Sequence, residues 1–171
     1  MTDKRFEEVV RTYADTIYRV ALHALGSRAD AEDVMQTVLL KLYERQEDFE
    51  GPDHLKHWLL RLAVNESRSL LRSAWRRRRV SLEDGRELPV PEDPAKAELL
   101  EAVMALEPRY RLTVYLYYYE GCSVAETARA LGARPSTVQT WLHRARQRLR
   151  ADLAPEKNEE GYGYVRPQIL S

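Results

Sequence analysis

Cysteine is nearly absent from this 171-residue chain, with Cys122 the one example, and phenylalanine occurs twice. A lone thiol excludes an internal disulfide and a CxxC metal knuckle. Long apolar runs are missing too. The longest stretch without a charge or turn signal, LTVYLYYY at 112–119, is far shorter than the ~20 residues that cross a bilayer. Residues 1–10 read MTDKRFEEVV, not a basic segment followed by an apolar one, so export by a signal peptide is not expected. These shortages together point to a cytoplasmic protein. What is abundant is charge, at 32% of residues beside 44% apolar ones, the balance of a charge-laced helical chain with cores of its own.

The formal net charge is zero, but its distribution is uneven. Residues 1–60 carry −4, residues 61–79 carry +6, residues 80–107 carry −6 and residues 129–150 carry +6. Both basic blocks draw all their positive charge from arginine, whose planar fork can grip phosphate or a guanine edge through two parallel hydrogen bonds. Two such blocks in an otherwise acidic chain suggest two polyanion-facing surfaces.

Helical periodicity fills the first eighty residues with four signatures. Val9, Tyr13, Ile17, Val20 and Ala24 share one face of a helix that Gly26 can end. Ser27 can cap a second helix that turns Val34, Val38, Leu39 and Leu42 inward. Gly51-Pro52 breaks the chain, and Asp53 can cap a third with Leu55, Trp58, Leu59 and Leu62 on one side. The pattern continues through Leu70, Leu71 and Trp75 to the arginines at 76–79. Residues 80–94, VSLEDGRELPVPEDP, have three prolines, five acids and no helical period, the composition of a flexible linker. Fifteen extended residues reach ~50 Å at about 3.3 Å each, more than the ~34 Å of one duplex turn. A second helical half restarts at about Ala95, with Leu99, Val103 and Leu106 on one face, and 112–119 reads as helix despite its β-favouring tyrosines. The tail 154–171 has no period.

Residues 123–150 carry the sharpest pattern. Ser123 with Glu126 forms a capping box, Gly132 follows where a helix end wants a left-handed residue, and Arg134-Pro135-Ser136 starts another helix, with Ser136 free to cap it. This is a helix-turn-helix. Val138, Leu142, Ala145 and Leu149 face its core, which leaves Thr137, Gln139, Thr140, His143 and Arg144 outward near the end that enters a major groove. Gln139 and Arg144 can read base edges, and Arg146, Arg148 and Arg150 can hold phosphates.

Three segments in order, ADAEDVMQTVLLKLYE (29–44), HWLLRLAVNESRSLLRSAWRRR (57–78) and LEPRYRLTVYLYYYEGCSVAETARALGARPSTVQTWLHRARQRL (106–149), resemble the extracytoplasmic-function (ECF) sigma factors of bacterial RNA polymerase. The resemblance covers about residues 5–153. It implies an all-α protein of two small helical domains: sigma region 2 at 1–79, the linker at 80–94, and the region 4 helix-turn-helix at 95–153. It also implies a non-enzymatic factor without cofactor or metal, whose partners are core polymerase, promoter DNA and an anti-sigma protein. Asp33 and Gln36 would grip the polymerase clamp. Trp58, Arg61, Asn65, Arg68, Arg72, Arg76 and Arg77 would serve the −10 element, although core packing competes for Trp58. Ser136, Thr137, Gln139, Thr140, His143, Arg144 and Arg146 would serve the −35 element. Ser69, Gln139 and Trp141 depart from residues common in the family and bear on which promoter is read. The alternative is a stand-alone helix-turn-helix regulator, which leaves Asp33, Gln36 and one basic block unexplained. His54 and His57 lack further ligands, and Cys122 lacks a base, so neither suggests catalysis.

Overall fold

The computed structural model describes residues 1–45, 48–77 and 89–154, with side chains for all of these except 74–77. Seven α-helices and one π-helical turn make up the regular structure, with no strand among the described residues. The helices are α1 (Asp3–Leu25), α2 (Arg28–Glu44), α3 (Pro52–Arg77), α4 (Pro94–Met104), α5 (Pro108–Val114), α6 (Val124–Leu131) and α7 (Pro135–Asp152), and the π turn is Tyr115–Tyr119. The last two of the four helical signatures in the first half are one continuous helix, α3.

Local chemistry explains most boundaries. Gly26 adopts φ 67°, the left-handed conformation that closes α1, and Ser27 Oγ accepts the Asp30 N–H to start α2. Two expected caps are displaced by proline. Pro52 and Pro135 occupy the first helical position, where a missing N–H costs nothing. The capping positions therefore fall on Gly51, whose carbonyl accepts from Leu55, and on Arg134, whose carbonyl accepts from Val138. Asp53 and Ser136 lie inside the first turns instead of capping them. Asp93 caps α4 by accepting the Ala95 N–H. The linker at 80–88, the arginines at 78–79 and the tail from 155 lie outside the described residues.

Helices α1, α2 and α3 pack together around Ile17, Val20, Val38, Leu42, Leu59, Leu60 and Val64, all fully buried. Burying each such side chain contributes about 1.5–3 kcal/mol relative to leaving it in water. The same core takes in Leu112, Tyr115, Leu116, Cys122, Ala130 and Leu131 from the second half. The two halves thus share one interior. Smaller clusters join α4, α5 and α7 through Val103, Leu106, Val114, Ala145 and Leu149, and join α6 to α7 through Ala128, Val138 and Leu142.

The tyrosine-rich run is helical, as its neighbours suggest, but it widens into a π turn in which the Glu120 N–H reaches the Tyr115 carbonyl at 3.1 Å. The extra residue changes the helical phase. Tyr115 stacks on His23 of α1 with ring centres 4.1 Å apart, whereas Tyr118 meets Arg146 of α7. One short segment therefore touches both halves.

Candidate nucleic-acid interface

The helix-turn-helix is built from strictly local signals. Ser123 Oγ accepts the Glu126 N–H at 3.1 Å while Glu126 Oε2 accepts the Ser123 N–H at 2.7 Å. The Ser123 hydrogen bond is the main reason the Glu126 carboxyl titrates below its usual range, opposed by desolvation and helped by His57. Gly132, at φ 63°, ends α6 and allows the reversal into α7. Ala128, buried against Val138 and Leu142, lets the two helices cross closely.

Along α7 the apolar phase is as expected, with Val138, Leu142, Ala145 and Leu149 buried. Ser136, Gln139, Thr140, His143 and Arg144 are exposed, and Thr137 is half-buried at the edge. Thr140 Oγ1 donates to the Ser136 carbonyl at 3.1 Å, which ties that hydroxyl to its own helix. Arg146 departs from the outer face. It is half-buried, with its Nε donating to the Tyr118 hydroxyl at 2.6 Å and its guanidinium over the Tyr118 ring. Arg148 pairs with Asp152 at 3.3 Å. Trp141 is half-buried and packs against the shared core.

In the first half, Trp58, Arg61, Asn65, Arg68 and Arg72 recur at steps of three and four on α3, which puts them on one stripe. Trp58 is half-buried, edge-on to Phe49 at 5.3 Å and beneath the Arg45 guanidinium at 5.1 Å, so packing accounts for it. Asn65 and Arg72 are exposed. Arg61 donates from a terminal nitrogen to the Arg129 carbonyl at 3.1 Å, and Arg68 does the same to the Leu131 carbonyl at 2.7 Å. Burial, then the nearby Arg72, depresses the Arg68 pKa. Beside them, His57 Nε2 lies 3.3 Å from Glu126 Oε1. Arg76 and Arg77 fall in the last turn of α3, and their side chains are not among those described.

Asp33 and Gln36 are exposed on α2. Asp33 lies at a groove of about 230 Å³ between α2 and α3, lined also by Thr37, Glu66 and Ser69. Lys41 bonds Glu66 across the same pair of helices. Cys122 is buried, and burial pushes its thiol up to about 11, so it is an unreactive packing group. His54 Nδ1 accepts the Glu50 N–H at 3.2 Å and shares no metal-binding cluster among the described residues. No helix among those residues is long and apolar enough to cross a membrane.

Among the residues joining the halves, periodicity and motif did not reveal His23 or Arg111, nor that His57 meets Glu126 across the junction. Arg111 is buried, donating to the Met104 carbonyl at 3.0 Å and to the Ala24 carbonyl at 2.7 Å. Both of these acceptors are main-chain oxygens, which leave no mark in a sequence.

Comparison with known proteins agrees with this architecture. Residues 9–77 match the family model for sigma-70 region 2, and residues 96–149 match that for sigma-70 region 4. The chain is 36% identical to the RNA polymerase sigma-E factor of Streptomyces coelicolor over 157 residues, 86% of this chain and 85% of the relative. It is 31% identical to the ECF RNA polymerase sigma factor SigE of Mycolicibacterium smegmatis, covering 90% of this chain but 63% of that longer protein. Among solved structures, the sigma factor RpoE in complex with the anti-sigma factor NepR from Bartonella quintana superposes with a TM-score of 0.76 at 24% identity, over 90% of this chain and 99% of that one, a likeness of fold. Helical throughout its described regular structure, with a polar and basic face of α7 turned outward, and matching both sigma regions in order, the chain belongs to the ECF sigma factors of the sigma-70 family, non-enzymatic RNA polymerase subunits that initiate transcription.

Proposed function

We propose a division of labour within this sigma factor. Residues 1–79 dock on core polymerase through Asp33 and Gln36 and capture the −10 strand with Asn65, Arg61, Arg68, Arg72, Arg76 and Arg77. Single-strand binders work in this way, by tracking the phosphates with cations and offering polar and stacking groups to the bases. Trp58 supports that surface from beneath. Residues 95–153 read the −35 duplex, the linker at 80–94 lets both engage, and the tail at 154–171 has no part in this scheme.

The observation that carries the −35 assignment is the outer face of α7. Gln139 is exposed near the helix start and Arg144 near the helix middle, with Ser136, Thr140 and His143 around them. Both Gln139 and Arg144 can form paired hydrogen bonds with a base edge. Arg146 holds Tyr118 and therefore serves by bracing α7 or by reaching a phosphate from the side. Neither half needs to bind strongly alone, because tethered contacts gain affinity through effective concentration. Weak binding to free DNA and tight promoter binding with polymerase follow. The family supports two further expectations, a cytoplasmic location and control by an anti-sigma protein.

The test is run-off transcription with purified core polymerase. Wild type should direct initiation at a defined start point. Asp33→Ala should lose polymerase binding while leaving the free protein's weak −35 duplex binding unchanged. Undiminished polymerase binding by Asp33→Ala would remove that residue from the docking surface.

A further inference from the structure

Helix α4 is apolar on two sides. One side, Ala102, Val103 and Leu106, is buried with Ala145, Leu149 and Leu153 at the end of α7. The other runs along Ala97, Leu100 and Met104, at steps of three and four. With Pro94 and Val90 at the lip and Glu98 and Glu101 on the rim, these residues line a groove of about 470 Å³. Met104 is buried, whereas Val90, at 77% exposure, is the most exposed large apolar side chain among the described residues. A helix apolar on both sides is normally covered on both, yet every residue lining this groove comes from 90–104.

Three observations select what covers it. The described chain ends at Ala154, just after Leu153, which packs on the buried side of the same helix. Residues 155–161 span ~23 Å when extended, at about 3.3 Å each. Helix α4, with 11 residues, is ~16 Å long at about 1.5 Å each, so the residues that follow can reach its other side. Those residues, 162–170, read YGYVRPQIL, in which Tyr162, Tyr164, Val165, Ile169 and Leu170 accompany a single charge, Arg166. The groove has the complementary sign, with Glu98 and Glu101 exposed on its rim. A second copy of the folded chain fits less well, because a stable interface takes about 800 Å² a side, more than one face of so short a helix offers. A tethered segment needs no such area, since its local concentration reaches the millimolar range and even a weak contact is mostly made.

We propose that residues 162–170 of this chain fold back onto α4, setting apolar side chains among Val90, Ala97, Leu100 and Met104 and placing Arg166 against Glu98 and Glu101. Glu156, Glu159 and Glu160 fall in the spacer, clear of the acidic rim. The seated segment also holds Val90 to α4, and so fixes the end of the linker that enters the second half.

The test uses the full chain. Benzoylphenylalanine in place of Tyr164 is photolysed, and the crosslinked peptides are mapped by mass spectrometry. Crosslinks within one molecule to residues 90–104 are expected. Crosslinks only to other elements, or only between two molecules, would overturn the seating. Hydrogen exchange of the α4 amides gives a second reading that leaves Tyr164 in place. Ile169→Asp with Leu170→Asp, which alters no residue of the described cores, should speed exchange in α4 by about fivefold to tenfold, the protection that a mostly occupied tethered site provides. Exchange in α1 and α6 should not change. Equal α4 exchange in wild type and variant would count against the proposal in the same way. Arg166→Glu should lose most of that protection, and adding Glu98→Arg with Glu101→Arg should restore it. A charge swap without recovery would overturn the placing of Arg166 on this rim.

Discussion

The two arginine blocks carry the same net charge and stand in opposite circumstances. On α7, Arg144 is exposed beside Gln139 and His143, and the helix presents that face outward because its apolar stripe is buried behind it. On α3, Arg61 and Arg68 are turned toward the second half and bonded to its main chain. Equal charge along a sequence therefore does not mean equal availability. The face proposed to read duplex DNA is presented outward in the free chain, whereas part of the stripe proposed to capture the −10 strand is engaged.

The comparison is broken most severely through the interior that both halves share. Leu116 of the second half is fully buried in the same core as Ile17 and Leu59 of the first. Leu116→Ala should lower stability by about 2–5 kcal/mol, the range for a large-to-small change in a packed core. Urea unfolding followed by separate probes in α2 and α7 should show both halves losing stability together. Separate transitions, with only the α7 probe affected, would mean the halves fold independently. The next largest effect concerns DNA. Arg144→Ala should weaken −35 binding by roughly 1–3 kcal/mol and relax preference at one base pair, and equal affinity would take Arg144 off the reading surface. Ser123→Ala removes one side of the capping box and should cost about 1 kcal/mol of stability. It should leave the −10 stripe and polymerase binding unaltered, and thermal melting checks the first part.

What was legible in the sequence is what is decided locally or by period. The burial of Val138, Leu142, Ala145 and Leu149 follows from steps of three and four, and the Ser123–Glu126 box and Gly132 act within one turn of themselves. Asp53 and Ser136 look like caps because their side chains suit the role. Proline one position earlier outweighs that preference, since its fixed φ suits the first helical residue. The π turn has no such signature, because tyrosine favours neither a 3.6-residue nor a wider turn. The junction was illegible for a different reason. Arg61, Arg68 and Arg111 find partners 68, 63 and 87 residues away, and those partners are carbonyls that every residue possesses. Arg146 shows the same effect in miniature, its outward reach given up for a tyrosine 28 residues back.

The smallest expected effect is a pH dependence of closure of the two halves on each other, and its sign can be worked out from His23. Burial lowers the His23 pKa from its ordinary 6.5, helped by the cations Arg111 and Arg19 and opposed by its hydrogen bond to the Arg19 carbonyl and by Glu120. The ring is held by Nδ1–H donating to that carbonyl at 2.8 Å and by its stack on Tyr115, with Tyr119 beyond. Above 6.5 the imidazole is neutral whether the halves are closed or apart, so closure is independent of this group. As pH falls through 6.5 the open form takes up a proton that the closed form still refuses, and closure weakens until the closed form's own lower pKa is passed. The distance between spin labels on α1 and α7 should therefore lengthen modestly between pH 7.5 and pH 5.5. His57 and Glu126 are the other titratable pair across the junction, so the measurement belongs in a His57→Gln background. In that background His23→Phe, which keeps a ring on Tyr115 and cannot take a proton, should flatten the profile. A profile of undiminished slope would assign the pH response to some other group and leave His23 a stacking residue alone.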